Sequence, residues 1–276
     1  MNLSRTVLPC ILAASLSACG GGGDSSSPAL AMTAPATTTP TTPTAIANSG
    51  SVSAAYVKAA SARYVLLGIG SQSTGALSSA TQDSAGVMTA IAGNALTGSP
   101  TATKEINGNA NYAQGRWFVG TVTQANISPQ KLDGSNNDSF HYVVLNNLAT
   151  IPTTGSKTCD AGRFTAPSYV GGTGVPSAGY FGTTTGSATL SFDGSGAHPG
   201  MVLNATSNSS SGSVTVSGTV ATPSSSAVSG AFFGNGAGGM IMVADGGAGT
   251  VIVVGGYRAV LANGSTYQGI ASFRCS

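Results

Sequence analysis

Charge is what this sequence has least of. Asp, Glu, Lys and Arg make up 7% of its 276 residues, against roughly a quarter in an ordinary soluble domain. The 10 basic and 8 acidic side chains form no cluster of either sign. A nucleic-acid partner would ask for a concentrated basic face, so none is expected. Glu, Lys and Gln are scarce, which leaves little material for long solvent-exposed helices. Aromatic residues amount to 6%, with a single Trp, too few for the two aromatic girdles of a membrane-spanning barrel.

The side chains of catalysis are thin as well. Histidine occurs twice, as His141 and His198, and neither has a cysteine close by in sequence. The close ligand spacing of a Cys/His metal site is therefore missing, and no metal or other cofactor is expected. There is no G-x-S-x-G elbow, so a serine triad would have to be assembled from these two histidines. Asp83, Glu105, Asp133, Asp138, Asp160, Asp193 and Asp245 stand singly, most of them beside Gly, Ser or Asn in expected turns. The stretch Gly234 to Gly239 satisfies G-x-G-x-x-G. It runs into the strand-like MIMVADGGAGTVIVV instead of the helix a dinucleotide site requires, and reads as a glycine turn. The expectation is a protein without catalytic residues.

What is abundant is glycine, 40 residues of it, together with Ser and Thr. Such a surface is polar but uncharged, as in proteins exported to the cell surface. The N-terminus fits export. Arg5 precedes a short apolar run from Thr6 to Ala14, too short to span a bilayer and laid out like a secretory signal. Leu16-Ser17-Ala18-Cys19 resembles a bacterial lipobox, which implies cleavage before Cys19 and a lipid on its thiol. Several buried acyl chains on one residue anchor stably, at about 0.8 kcal/mol per methylene. Gly20 stands where an aspartate would imply inner-membrane retention, so the outer membrane is expected. Removing residues 1–18 removes Arg5; 10 basic residues become 9 against 8 acidic, a net charge of +1. Residues 19–49, rich in Gly and Ser and then in Thr, Pro and Ala, cannot bury a core and read as a disordered tether. As a coil it spans roughly 30 Å, and more where the prolines stiffen it.

Residues 50–276 suit one all-β domain. In GSATLSF, Ala188, Leu190 and Phe192 alternate with Ser and Thr; in SVTVSGTV, Val214, Val216 and Val220 do the same. Both predict half-buried strands. Further strands are expected in RYVLLGI, GVMTAIAG, RWFVGTVTQ, FHYVVLN, VSGAFFG, GGMIMVA, GTVIVVGGYRAVL and TYQGIASFRC. Tight turns are expected at Asp245-Gly246-Gly247 and at Asn263-Gly264, and a short helix around Ala54 to Arg63. Eight or so antiparallel strands leave open edges unless they close or stack, so a soluble, roughly eight-stranded β-barrel is the economical architecture. Cys159 and Cys275 are an even pair in an exported domain and predict a disulfide.

The run NYAQGRWFVGTV, GSATLSF, SVTVSGTV, VSGAFFGNGAGGM resembles the β-barrel lobe of transferrin-binding protein B-like lipoproteins, over roughly Ala110 to Val243. Gly230, Phe232, Phe233 and Gly234 match that lobe's G-x-F-[YF]-G segment, while the Pro and Glu that usually follow are absent. The resemblance implies a surface lipoprotein that binds through its loops. Residues 159–182 are the connection richest in recognition side chains. Arg163, Tyr169 and Tyr180 are the expected ligand-binding residues, with Tyr169 at an exposed tip, while Phe164 and Phe181 are expected to plug the barrel end. The function expected is non-enzymatic capture of a host or environmental macromolecule at the outer membrane, through barrel loops. The alternatives are support of another envelope protein or assembly, and small-ligand carriage or enzymatic activity.

Overall fold

The computed structural model describes residues 46–276 apart from residues 126, 136, 175–180 and 235. The expected signal segment, Cys19, most of the expected tether and Tyr180 lie outside the described residues. All regular structure within them is β, and the pairing is antiparallel except where β1 joins β6. The barrel-like all-β fold expected from the alternation is present. Among the described residues the strands number nineteen and fall into three sheets, not one ring of eight.

The first sheet holds β1 (Gly50–Val52), β2 (Ala62–Gly68), β3 (Ser71–Ala76), β4 (Ala80–Gln82), β5 (Met88–Ile91), β6 (Asn94–Asn109), β7 (Tyr112–Gln124), β8 (Ile127–Asp133) and β9 (Phe140–Asn146). Its order is β3-β2-β9-β7-β6-β5-β4, with β1 on β6 and β8 on β7. Register shifts along β6, between Thr97 and Ala102 and between Lys104 and Asn107, bend the strand. The sheet curls into a half-barrel. Inside it Tyr64, Leu66, Trp117, Phe140, Tyr142 and Val144 pack together, and the Trp117 indole donates to the Met88 carbonyl at 2.7 Å. Each such ring or branched chain contributes about 1.5–3 kcal/mol on burial.

The second half of the chain supplies β10 (Gly155–Lys157), β11 (Arg163–Phe164), β12 (Ser168–Gly172), β13 (Thr183–Asp193), β14 (Gly196–Ser207), β15 (Ser210–Ser217), β16 (Ala227–Gly230), β17 (Gly238–Gly247), β18 (Thr250–Val260) and β19 (Ser265–Cys275). Strands β10-β13-β14-β15 form an outer sheet, and β11-β19-β18-β17-β16, with β12 also on β19, form a central one. Strands β17 and β18 are buried along nearly their whole length. Their two faces serve different partners. Ile241, Val243, Val251 and Val253 meet Leu203, Val214 and Val216 of the outer sheet, whereas Met240, Met242, Ile252 and Val254 meet Val65, Leu67, Val143 and Leu145 of the half-barrel. A strand covered on both sides reads as an unbroken apolar run, which is what GGMIMVA and TVIVV are.

Three local expectations are corrected. No helix forms at Ala54 to Arg63; residues 53–61 are irregular and β2 begins at Ala62. The Asn146 side chain satisfies this segment, donating to the Val57 carbonyl and accepting from the Ala59 amide and the Tyr56 hydroxyl. The hairpin after MIMVA turns at Ala248 and Gly249, both at positive φ, three residues later than expected, because a bulge at Asp245 to Gly247 lets β17 continue. At Asn263-Gly264 only Gly264 has positive φ. The Leu261 amide donates to the Ser265 carbonyl and the Gly264 amide to the Leu261 carbonyl, so the loop has three residues and not two.

Candidate functional site: a polar cleft between two sheets

Along β19, Phe273 and Cys275 point into the core shared with the outer sheet. Alternation turns Ser272 and Arg274 the other way, toward the half-barrel. Arg163 of β11 pairs with Ser272 and shares that face. Opposite them run β1, the end of β6 and the start of β7. Between the two walls lies a cleft of about 370 Å³ lined by Ser53, Asn107, Tyr112, Asp160, Arg163 and Arg274, among others.

Both arginines are set by the backbone around them. Cys159 and Cys275 are disulfide-bonded, and the residues next to them, Asp160 and Arg274, line the cleft. The Asp160 amide donates to the Arg274 carbonyl at 2.8 Å, and the Asp160 carboxylate accepts from the backbone amides of Gly162 and Arg274, each at 3.0 Å. Gly162 has φ +78, and a Cβ there would stand 2.5 Å from the Phe273 ring. Only glycine makes this turn into β11 without strain. Beneath Arg163, the fully buried Gln114 donates its side-chain amide to the Arg163 carbonyl at 3.3 Å.

The two cleft arginines face one carboxylate, Asp160, and form no ion pair with it. Among the described residues Arg116 forms an ion pair with Glu105 and the His198 imidazole contacts the Asp193 carboxylate; neither contact involves Arg163 or Arg274. The described residues contain five arginines. Arg63 and Arg116 are buried and Arg258 is half-buried, while Arg163 and Arg274 are exposed. The two exposed guanidinium groups therefore occupy one cleft.

Next to the cleft, a buried polar seam joins the half-barrel to β11 and β12. His141 contacts the Thr165 hydroxyl through Nδ1 at 2.7 Å and the Ser168 hydroxyl through Nε2 at 2.8 Å. Burial, and then the nearby Arg116 cation, hold its pKa well below the ordinary histidine value. Arg116 makes a two-point contact with Glu105, at 2.8 and 2.9 Å. Its guanidinium lies 4.6 Å from the ring centres of both Phe118 and Phe181.

The sequence-predicted site residues divide accordingly. Arg163 is exposed at the cleft. Tyr169 is not an exposed tip: it lies half-buried in β12, its ring edge-on to Tyr267 at 5.9 Å. Tyr180 lies outside the described residues. Phe164 packs edge-on against Phe273 at 5.6 Å and joins the core of the two C-terminal sheets, and Phe181 covers Arg116. Sequence reading missed Asp160, Arg274, Asn107 and Tyr112 as a group, since they come from three strands and a connecting segment spread along the chain. One signal was available: the alternation in FRC opposes Arg274 to Phe273 and Cys275.

A hydroxyl, imidazole and carboxylate do meet on the β13–β14 hairpin, where Asp193 lies 2.9 Å from His198 Nε2. Its wiring is not that of a triad. Ser195 Oγ donates to the same Asp193 oxygen at 2.6 Å and lies 3.2 Å from the same imidazole nitrogen. A relay needs the carboxylate and the nucleophile on opposite nitrogens. The cluster caps a turn, and its hydrogen bonds, from His198 and then Ser195, hold the Asp193 carboxyl below the usual carboxylate range. Among the described residues no group of three or more His, Cys, Asp or Glu is placed to hold a metal ion. Compared with known protein families, curated proteins and solved structures, the chain has no significant match.

Proposed function

We propose that this protein is an outer-membrane lipoprotein, anchored through Cys19, that binds an environmental or host macromolecule in the cleft at Arg163 and carries out no covalent chemistry. One observation carries the reading: the two exposed arginines of the described chain, Arg163 and Arg274, line the same polar cleft. Arginine in such a place is the residue recognition surfaces favour, and strands of two sheets form the cleft's walls. The Gly-, Ser-, Thr- and Pro-rich composition of residues 19–49 supports it, since a spacer of that composition suits a domain carried on a lipid anchor. The membrane side of the proposal is tested by replacing Cys19 with Ser. Release from the membrane and loss of the lipid mass are expected, and unchanged mass with full membrane retention overturns the anchor. The binding side is tested by Arg163→Ala, which is expected to weaken ligand capture at an unchanged melting temperature.

A further inference from the structure

We infer that the cleft takes a carboxylate-bearing saccharide. This rests on the reading of the cleft as a binding site and specifies what fills it.

The planar guanidinium fork matches a carboxylate in two-point geometry and is weakly hydrated, so it gives up water readily for such a partner. Arg163 commits one Nη1 hydrogen to the Gly162 carbonyl at 2.8 Å. Arg274 makes no side-chain hydrogen bond among the described residues. The one acid in the lining, Asp160, already accepts two backbone amides on Oδ1 and forms no ion pair with either arginine. Net positive charge is therefore left facing the cleft, on a surface that is otherwise almost uncharged, and an anion is the complementary ligand.

The remaining lining selects among anions. Ser51, Ser53, Asn107 and Ser272 are small neutral donors and acceptors. Asn107 donates Nδ2 to the Tyr112 hydroxyl at 3.0 Å, which leaves its Oδ1 to accept from a ligand hydroxyl. The Ser53 hydroxyl donates to the Gly108 carbonyl at 3.2 Å and keeps its lone pairs for the same purpose. Hydroxyl groups beside a carboxylate describe a uronic acid. Two exposed cations are too few for a nucleic-acid backbone, whose binding rests on many phosphate contacts. The volume, about 370 Å³, is at the small end for ligand sites. It suits one acidic sugar unit of a chain that continues past the open rim.

The test titrates the full-length lipoprotein in detergent micelles with trimers of galacturonate, mannuronate and guluronate. Each trimer is paired with its methyl ester, and acetate and an acetylated tri-aspartate peptide serve as further probes. At least one acid trimer is expected to bind, its methyl ester at least tenfold more weakly. Arg163→Gln and Arg274→Gln should each weaken binding by about tenfold, at unchanged melting temperature, and raised salt should weaken it further. Equal binding of ester and acid, tighter binding of the peptide, indifference to both arginine substitutions, or no binding of any trimer overturns the saccharide assignment. The parent reading fails separately: if intact cells capture macromolecules equally with wild type and Arg163→Ala, the cleft is not the binding site at all.

Discussion

Cys159 stands directly opposite Cys275 across two antiparallel segments. Thr158 and Ser276 exchange both backbone hydrogen bonds at 3.0 Å, so the cysteines occupy the adjoining non-hydrogen-bonded position, where side chains approach most closely. Their disulfide bridges 116 residues and fastens the neighbours on either strand, Asp160 and Arg274. The same covalent bond thus closes the fold and fixes one side of the cleft.

Replacing both cysteines with Ser is expected to lower stability by about 4–5 kcal/mol on the chain-entropy estimate. Denaturant unfolding with and without reductant measures this, and thiol alkylation reports whether the bond is formed. Free labelling of both cysteines without reductant contradicts the pairing.

Gly162→Ala is expected to cost about 1–3 kcal/mol, since alanine is strained at φ +78 and its Cβ meets Phe273. The urea midpoint measures it. An unchanged midpoint would mean that the turn into β11 relaxes freely.

Arg63 is buried and donates to the Asn147 side chain at 2.6 Å and to the carbonyls of Ser225 and Val243 at 2.5 and 3.0 Å. Burial pulls its pKa down to about 10. Arg63→Met leaves these acceptors unsatisfied and should destabilise by about 3 kcal/mol; Arg63→Lys, with one ammonium for three separated acceptors, should recover only part. Full stability of the Met variant contradicts this role.

Acid should loosen the seam at His141. Its folded pKa lies below the unfolded value near 6.5, so below that pH the unfolded chain binds the extra proton. Stability is then complete above about pH 6.5 and falls as pH drops, by at most about 1.4 kcal/mol per unit from this group. The charged groups involved are Arg116, which opposes His141 across the β7–β9 pairing, and Glu105, which pairs with Arg116. In His141→Gln, which keeps a donor and an acceptor for Thr165 and Ser168, the slope between pH 5 and 6.5 should flatten. An unchanged slope contradicts the assignment.

The parts of the fold that were legible in sequence are those governed by local alternation. Leu190, Phe192, Val214 and Val216 are buried with Ser and Thr outward between them, because each strand has one wet face. The apolar runs of β17 and β18 announced strands but not that two different sheets would cover them. The irregular segment before β2 was misread as helix because its hydrogen bonds go to Asn146, some ninety residues away. At the site, Arg163 was legible from its connection's composition. Tyr169 was not, since Tyr267 reaches it only through the pairing of β12 with β19. The cleft itself needed strands of two sheets, β1, β6 and β7 on one wall and β11 and β19 on the other, brought together.

The most direct test of the binding account compares capture of environmental macromolecules by intact cells displaying, at equal surface density, the wild type, Arg163→Ala or Tyr169→Ala. Captured material is quantified by mass spectrometry alongside each variant's melting temperature. The account predicts that Arg163→Ala loses most of the captured ligand at an unchanged melting temperature, while Tyr169→Ala lowers the melting temperature through lost packing on Tyr267. Undiminished capture by Arg163→Ala would contradict it.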